Sequence, residues 1–254
     1  MYIARAKQVI CALFALLSLS VTLYSIVKFV LFVSTPSWSG KIDRVIKSSE
    51  WKQTIRTLFY NTIWLVLFIL HHSFGKHESI KKFWEKIGFK NIERAVYNIV
   101  SSLILLQMVE RWTIANKWTL WSFTIKEYSP VWYIYVLSHA VLWLIIFGGS
   151  LLMDLPEILG IKQVYYNVKG LNDPSLYKAI QHNRLLASIR HPSYIGFSLL
   201  FWITNLMSLD RFILATLLSL YMFVAWSPDL KDYEYQKQQL ELKKLELRYD
   251  FKQK

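Results

Sequence analysis

Two predominantly apolar runs, Val9 to Val33 and Val131 to Met153, each match or exceed the roughly 20 residues a helix needs to cross a bilayer core. Short basic stretches separate these and further apolar runs, which explains how a chain of 254 residues can be 54% hydrophobic and still 19% charged. This segregation excludes a disordered chain and a soluble α/β enzyme. A disulfide scaffold is excluded as well, because the single cysteine, Cys11, lies inside the first apolar run without a partner. The first run is too long for a signal peptide and meets no small-residue cleavage site before Pro36, so it reads as an uncleaved first span.

The expected fold is all-α and polytopic, with about six transmembrane helices near 9–33, 57–74, 95–113, 131–153, 193–209 and 211–226. Pro36, Pro130, Pro156, Pro192 and Pro228 fall at span edges and Pro174 in a loop, where a missing amide proton costs little. The last two spans are expected to form a tight hairpin that turns at Asp210-Arg211. No repeat, low-complexity tract or Gly/Ser linker divides the chain, so residues 1–254 are read as one integral membrane domain with a short basic tail from about 229. In that tail Leu240, Leu247 and Phe251 recur at helical spacing, with Glu241 three residues before Lys244, the pattern of a surface helix.

Lysine and arginine are retained on the cytoplasmic side during insertion, and with six spans their positions sort cleanly. The N-terminus, the second and fourth loops and the tail hold twenty of the thirty; Lys41, Arg44, Lys47, Lys52, Lys117, Lys126 and Arg211 fall on the other side. Both termini are therefore expected in the cytoplasm or nucleoplasm. The formal charge of +13 is accounted for by this bias and by attraction to anionic lipid, so the expected partner is the bilayer and no sequence-specific nucleic-acid binding is expected.

Three polar clusters lie at the basic membrane boundary. His71-His72-Ser73 closes the second span; adjacent helical histidines point about 100° apart, which suits interfacial caps better than a shared metal, and no metal site is assigned. The stretch MDLPEILGIKQVYY carries Asp154 and Glu157, which can pair with Lys162 or with basic groups from another span, and Gly160, which permits a close turn. The third cluster is IRHPSYIG. With Pro192 as the first residue of a helix, free amides meet Arg190 and His191 at the interface, an arrangement receptive to a carboxylate. Tyr194 adds an aromatic face, and Gly196 leaves room for a ligand or a neighbouring helix. A basic-aromatic membrane anchor explains the same residues equally well.

The RHPSYIG stretch resembles the RHPxYxG signature of the isoprenylcysteine carboxyl methyltransferase superfamily. Taken with HHS at the end of the second span and LGIKQVYYNVKGL after the fourth, it resembles more closely the nurim family of multi-pass proteins of the nuclear inner membrane; bacterial methanethiol S-methyltransferases are similar in the same blocks. The nurim resemblance implies residence in the inner nuclear membrane and brings nuclear lamina or chromatin into view as contacts. The methyltransferase resemblance implies an S-adenosylmethionine site that includes Arg190, His191, Pro192 and Tyr194, completed after the last span by an arginine and paired glutamates. That second part is degraded here. No arginine or lysine lies between Arg211 and Lys231, and SPDLKDYEY offers Asp229, Asp232 and Glu234 in place of the glutamates. Losing the planar two-pronged cation and one methylene of carboxylate reach undermines the in-line alignment that methyl transfer needs. The first reading is therefore a nurim-like membrane protein with no residue assigned as catalytic. The alternative is a membrane-embedded S-adenosylmethionine-dependent methyltransferase acting on a thiol or another small nucleophile.

Overall fold

The structure, a computed structural model, describes residues 2–36, 44–45, 51–75, 78–115, 118–188, 193–226 and 229–252. Arg190, His191 and Pro192 of the expected cofactor site lie outside the described residues.

Helices dominate. The chain forms α1 (Tyr2–Ser34), α2 (Trp51–Phe74), α3 (Glu78–Lys86), α4 (Glu93–Arg111) and α5 (Pro130–Leu152), then the short α6 (Leu155–Ile158), α7 (Ile161–Val168), α8 (Ile180–Ser188) and α9 (Tyr194–Trp202), and finally α10 (Leu209–Ala225) and α11 (Leu230–Lys252). Among the described residues four helices are long and apolar enough to cross a membrane: Arg5–Ser34, Trp51–Phe74, Lys90–Arg111 and Pro130–Leu151. They match the first four expected spans. Pro130 acts as the sequence suggests: it occupies the first turn of α5 while the Ser129 hydroxyl accepts the Trp132 amide at 3.2 Å, capping that helix; Pro192 and Pro228 lie outside the described residues.

The last two expected spans take a different form. The apolar stretch 193–209 is not one helix: α9 has nine residues, about 13 Å of helix, and the chain then passes into the strand β4. The 17-residue α10 reaches about 25 Å, against a hydrocarbon core of about 30 Å. The turn expected at Asp210-Arg211 lies earlier, at residues 203–208, and both charged residues sit in the first turn of α10. The cause is strand pairing. Four short strands, β1 (Arg44–Val45), β2 (Thr113–Ile114), β3 (Thr119–Ser122) and β4 (Leu206–Ser208), form two small ladders, with β1 parallel to β2 and β3 antiparallel to β4. Pairing of Ser122 with Leu206 and Thr119 with Ser208 holds 206–208 extended, so α10 can begin only after it. All four strands lie at one end of the bundle, called the strand end below; α3, α6 to α8 and the start of α11 lie at the other, the tail end.

Helix packing follows side-chain size. Along α1, Cys11, Ala15, Ser18, Thr22 and Ser25 recur at spacings of three and four, and this stripe of small residues faces α4. Close approach permits hydrogen bonds inside the bundle: the Ser25 hydroxyl donates to the Ser102 carbonyl at 3.0 Å, and the Ser102 hydroxyl to Thr22 Oγ1 at 3.0 Å. In lipid, where the hydrophobic effect does not separate helix from helix, such packing and polar pairing are what hold helices together. The main core is larger and aromatic: Phe29, Leu65, Met108, Trp143, Leu200 and Leu218 bring α1, α2, α4, α5, α9 and α10 together. Outward-facing residues such as Leu13, Leu137 and Leu144 are apolar and exposed, as a lipid-facing surface requires.

Candidate functional site at the tail end

The described parts of the three polar clusters lie at one end of the bundle, and each is tied down by partners from other helices. At the end of α2, His71 Nδ1 is 3.1 Å from the Ser101 hydroxyl and its ring stacks on Tyr97 at 5.5 Å. His72 Nδ1 is hydrogen-bonded to the Tyr97 hydroxyl at 2.7 Å, and the Ser73 hydroxyl donates to the Tyr221 hydroxyl at 3.2 Å. The histidines thus join α2 to α4 and α10. Among the described residues no group of three or more His, Cys, Asp or Glu side chains is placed to hold a metal ion. Gly75, just beyond, lies so close to Tyr97 that an added Cβ would stand 2.5 Å from its ring.

The MDLPEILGIKQVYY stretch is a charged knot. Asp154 adopts a left-handed conformation (φ 64°) that ends α5, and its Oδ1 accepts the Glu157 amide at 3.3 Å to begin α6. Its carboxylate pairs with Lys162, as expected. Lys178, 24 residues from Asp154 and unforeseen in this role, completes a four-membered network, with Nζ 2.6 Å from Glu157 and 3.6 Å from Asp154. Burial pushes the Asp154 carboxyl up, but the hydrogen bond and charge of Lys162, with Lys178 and the Glu157 amide, outweigh burial and hold it below its ordinary value. The same Asp154 hydrogen bond, opposed by a smaller burial effect, raises Lys162. Gly160 makes the anticipated close turn: at φ 78° an added Cβ would stand 2.8 Å from the Ala95 amide nitrogen. Close approach lets Asn98 Nδ2 and Arg94 Nε donate to the Ile158 carbonyl at 2.8 and 3.3 Å, fastening α6 to α4.

The third cluster is described from Ser193 onward. The buried Ser193 hydroxyl donates to the Ile146 carbonyl at 2.9 Å, and an added Cβ on Gly196 would stand 3.0 Å from Ile146 Cγ1, so Gly196 makes room for a neighbouring helix, α5. The ring of Tyr194 lies 6.2 Å from Phe223 and 6.0 Å from Trp226, forming an aromatic wall at the end of α10. Asp229 and Asp232 open α11. Each caps the other: Asp232 Oδ2 accepts the Asp229 amide at 3.1 Å and Asp229 Oδ1 the Asp232 amide at 3.0 Å. Their cationic partner is Arg184 of α8, which pairs with Asp229 and places Nε 3.2 Å from Asp232 Oδ1. Asp232 is only 3% exposed. The cation that meets these carboxylates comes 45 residues earlier in the chain, a relation carried by no local motif.

Long apolar helices with a small-residue seam and polar joints at both ends define a polytopic all-α membrane protein. The chain belongs to the nurim family. It is 40% identical to a Nurim homolog of Drosophila pseudoobscura pseudoobscura over 250 residues, 96% of this chain and 99% of that one. It is 39% identical to a Nurim homolog of Drosophila melanogaster, over 96% and 98% of the two chains. It is 30% identical to Nurim of Mus musculus, over 76% of this chain and 74% of the mouse protein. No family model and no solved structure matches the chain.

Proposed function

We propose that this protein is a resident of the inner nuclear membrane, one integral membrane domain with both termini on the nucleoplasmic side and a role that does not rest on catalysis. The single observation that carries the non-catalytic reading is the Arg184 joint. Both oxygens of Asp232 are engaged within the chain, one by Arg184 and one by the Asp229 amide, so the acidic pair locks α11 to α8 in place of facing a ligand. The nurim resemblance supports the location, and a small extramembrane mass suits lateral passage along the pore membrane. Nuclear lamina or chromatin would be reached through α11 and the other basic tail-end elements. A fluorescent fusion is expected at the nuclear rim, resistant to salt and mild detergent. Glycosylation acceptors should be modified in the 37–50 loop and unmodified in the 76–94 loop. An even reticular distribution overturns the location, and the reverse glycosylation pattern overturns the orientation.

One observation favours a second reading, a methyltransferase-type site: the aromatic wall of Tyr194, Phe223 and Trp226 at the end of α10. An aromatic face suits the adenine or the sulfonium of S-adenosylmethionine. The described carboxylates do not fit that ligand as they stand, since Asp229 and Asp232 are taken by Arg184. Binding that must first open a charged hydrogen-bonded joint loses about 1.5–3 kcal/mol, roughly tenfold to a hundredfold in affinity. Calorimetry on the purified chain should therefore show at most millimolar binding, abolished in folded Tyr194→Ala and His191→Ala variants. No saturable heat, or equal heat from the variants, removes this reading.

A further inference from the structure

The second polar region of the molecule lies at the strand end, and it contains a cavity of about 230 Å³ lined by Thr57, Tyr60, Asn61, Trp64, Arg111 and Thr113. At about 30 Å³ of liquid volume per water, this space accepts a group the size of a lipid headgroup. Its lining is arranged by the fold. Thr57, Tyr60, Asn61 and Trp64 recur at spacings of three, one and three, which places them on one face of α2. Asn61 fixes the opposite wall by donating to the Thr113 carbonyl at 2.7 Å and accepting the Thr113 amide at 3.3 Å.

Arg111, the last residue of α4, is oriented before any ligand arrives. Its Nε donates to Gln107 Oε1 at 2.9 Å and its guanidinium lies 5.3 Å from the centre of the Trp64 ring. Among the described residues it forms no ion pair, and no carboxylate lines the cavity. A second cation stands at the rim, where Arg56 lies 5.6 Å over Tyr60. An oriented guanidinium beside the hydroxyls of Thr57 and Tyr60 matches a tetrahedral oxyanion, which arginine binds with two parallel donors. Starting at the level of the cavity, on the adjoining face of α2, Phe59, Ile63 and Leu67 are exposed at spacings of four, an apolar track for acyl chains. Arg111 is the last residue of its candidate membrane span, the depth at which phospholipid phosphates lie.

We infer that this cavity binds the phosphate of a membrane phospholipid through Arg111, Thr57 and Tyr60, with the acyl chains along α2. The inference does not depend on the proposed location or orientation. The full chain, purified in detergent, can be titrated with phosphatidic acid, diacylglycerol or inorganic phosphate and examined by native mass spectrometry. One phosphatidic acid per chain is expected to bind saturably, diacylglycerol is expected not to, and inorganic phosphate should compete only at far higher concentration. Arg111→Gln should weaken phosphatidic acid tenfold or more, and Thr57→Val several-fold, with lipid-free melting unchanged in the latter. Inorganic phosphate binding as tightly as phosphatidic acid would make this a free-anion site and overturn the lipid assignment. Equal binding of diacylglycerol, or undiminished binding in both variants, would overturn the phosphate assignment.

Discussion

Asp210→Ala is expected to destabilise the protein by about 2–5 kcal/mol, the cost of leaving two buried N–H donors unpaired. The carboxylate is 1% exposed, and each oxygen has a donor from the segment that follows α4: the Trp112 indole Nε1 at 2.8 Å on Oδ2, and the Ala115 amide at 2.8 Å on Oδ1. These donors lie 98 and 95 residues away in sequence, so one side chain ties the end of α4 to the start of α10. Phe32 packs edge-on against Trp112 at 5.7 Å, and the Arg211 guanidinium lies 5.5 Å over the same Phe32 ring. Alanine would leave two buried N–H groups without a partner and a negative charge removed from the first turn of α10, where the helix dipole favours it. Thermal unfolding in detergent should show a midpoint lowered on the order of 10 °C. Asp210→Asn is expected to recover only part of the loss, since its amide turns a donor toward a donor. In a double-mutant cycle, Trp112→Phe should cost much less in the Asp210→Ala background than alone. A midpoint within a degree or two of wild type for Asp210→Ala, or strictly additive effects, would show that the joint does not hold these helices.

The difference between what the sequence displays and what the fold does with it is clearest at this joint. Adjacent Asp210 and Arg211 between two apolar stretches look like the polar tip of a hairpin, because hydropathy registers charge and not partners. The partners come from a distant segment, and with them both residues are buried, Arg211 to 7% exposure. Likewise, residues 203–208 mix Ile203, Leu206 and Met207 with Thr204, Asn205 and Ser208, and no local pattern separates helix from strand there; pairing with β3 decides it. Arg184 counted in the sequence only as one more positive residue on the basic side, and its role on Asp229 and Asp232 exists only once α8 and α11 pack together. Features that depend on local geometry were legible. The first four spans, the Pro130 edge of α5, the Gly160 turn, the Gly196 contact and the Asp154 to Lys162 pair each rest on apolar run length, a missing Cβ, a missing amide proton or charges eight residues apart. The Cys11 to Ser25 stripe is of the same kind; its three and four spacing of small residues is visible in the sequence, and only its partner, α4, is not.

Asp154→Asn isolates charge from shape in the knot between α5 and α7, because asparagine tolerates the left-handed conformation at φ 64° and can still accept the Glu157 amide. The Asp154 side chain is one-quarter exposed and faces two lysines, so loss of its charge should cost about 1–3 kcal/mol near neutral pH. Its dependence on pH has a definite sign. The folded carboxyl is held below its ordinary value, so the unfolded chain takes up its proton first as pH falls. The stabilisation is therefore complete above about pH 5, where the unfolded carboxyl with its value near 4 is ionised, and is lost as pH falls through the lower folded value. Lys162, raised in the fold, contributes with the opposite sign: fully below its ordinary value and decreasingly as pH rises through the higher folded one. Between pH 5 and 9 the network should hold constant strength. Unfolding midpoints measured for wild type and Asp154→Asn from pH 3 to pH 8 should lie furthest apart above pH 5 and converge toward pH 3. Lys178→Met should narrow the same gap, since it removes one of the two cations that depress the carboxyl. Midpoints that coincide across the whole range would mean that Asp154 acts through its capping hydrogen bond alone and that the lysines are held there by something other than its charge.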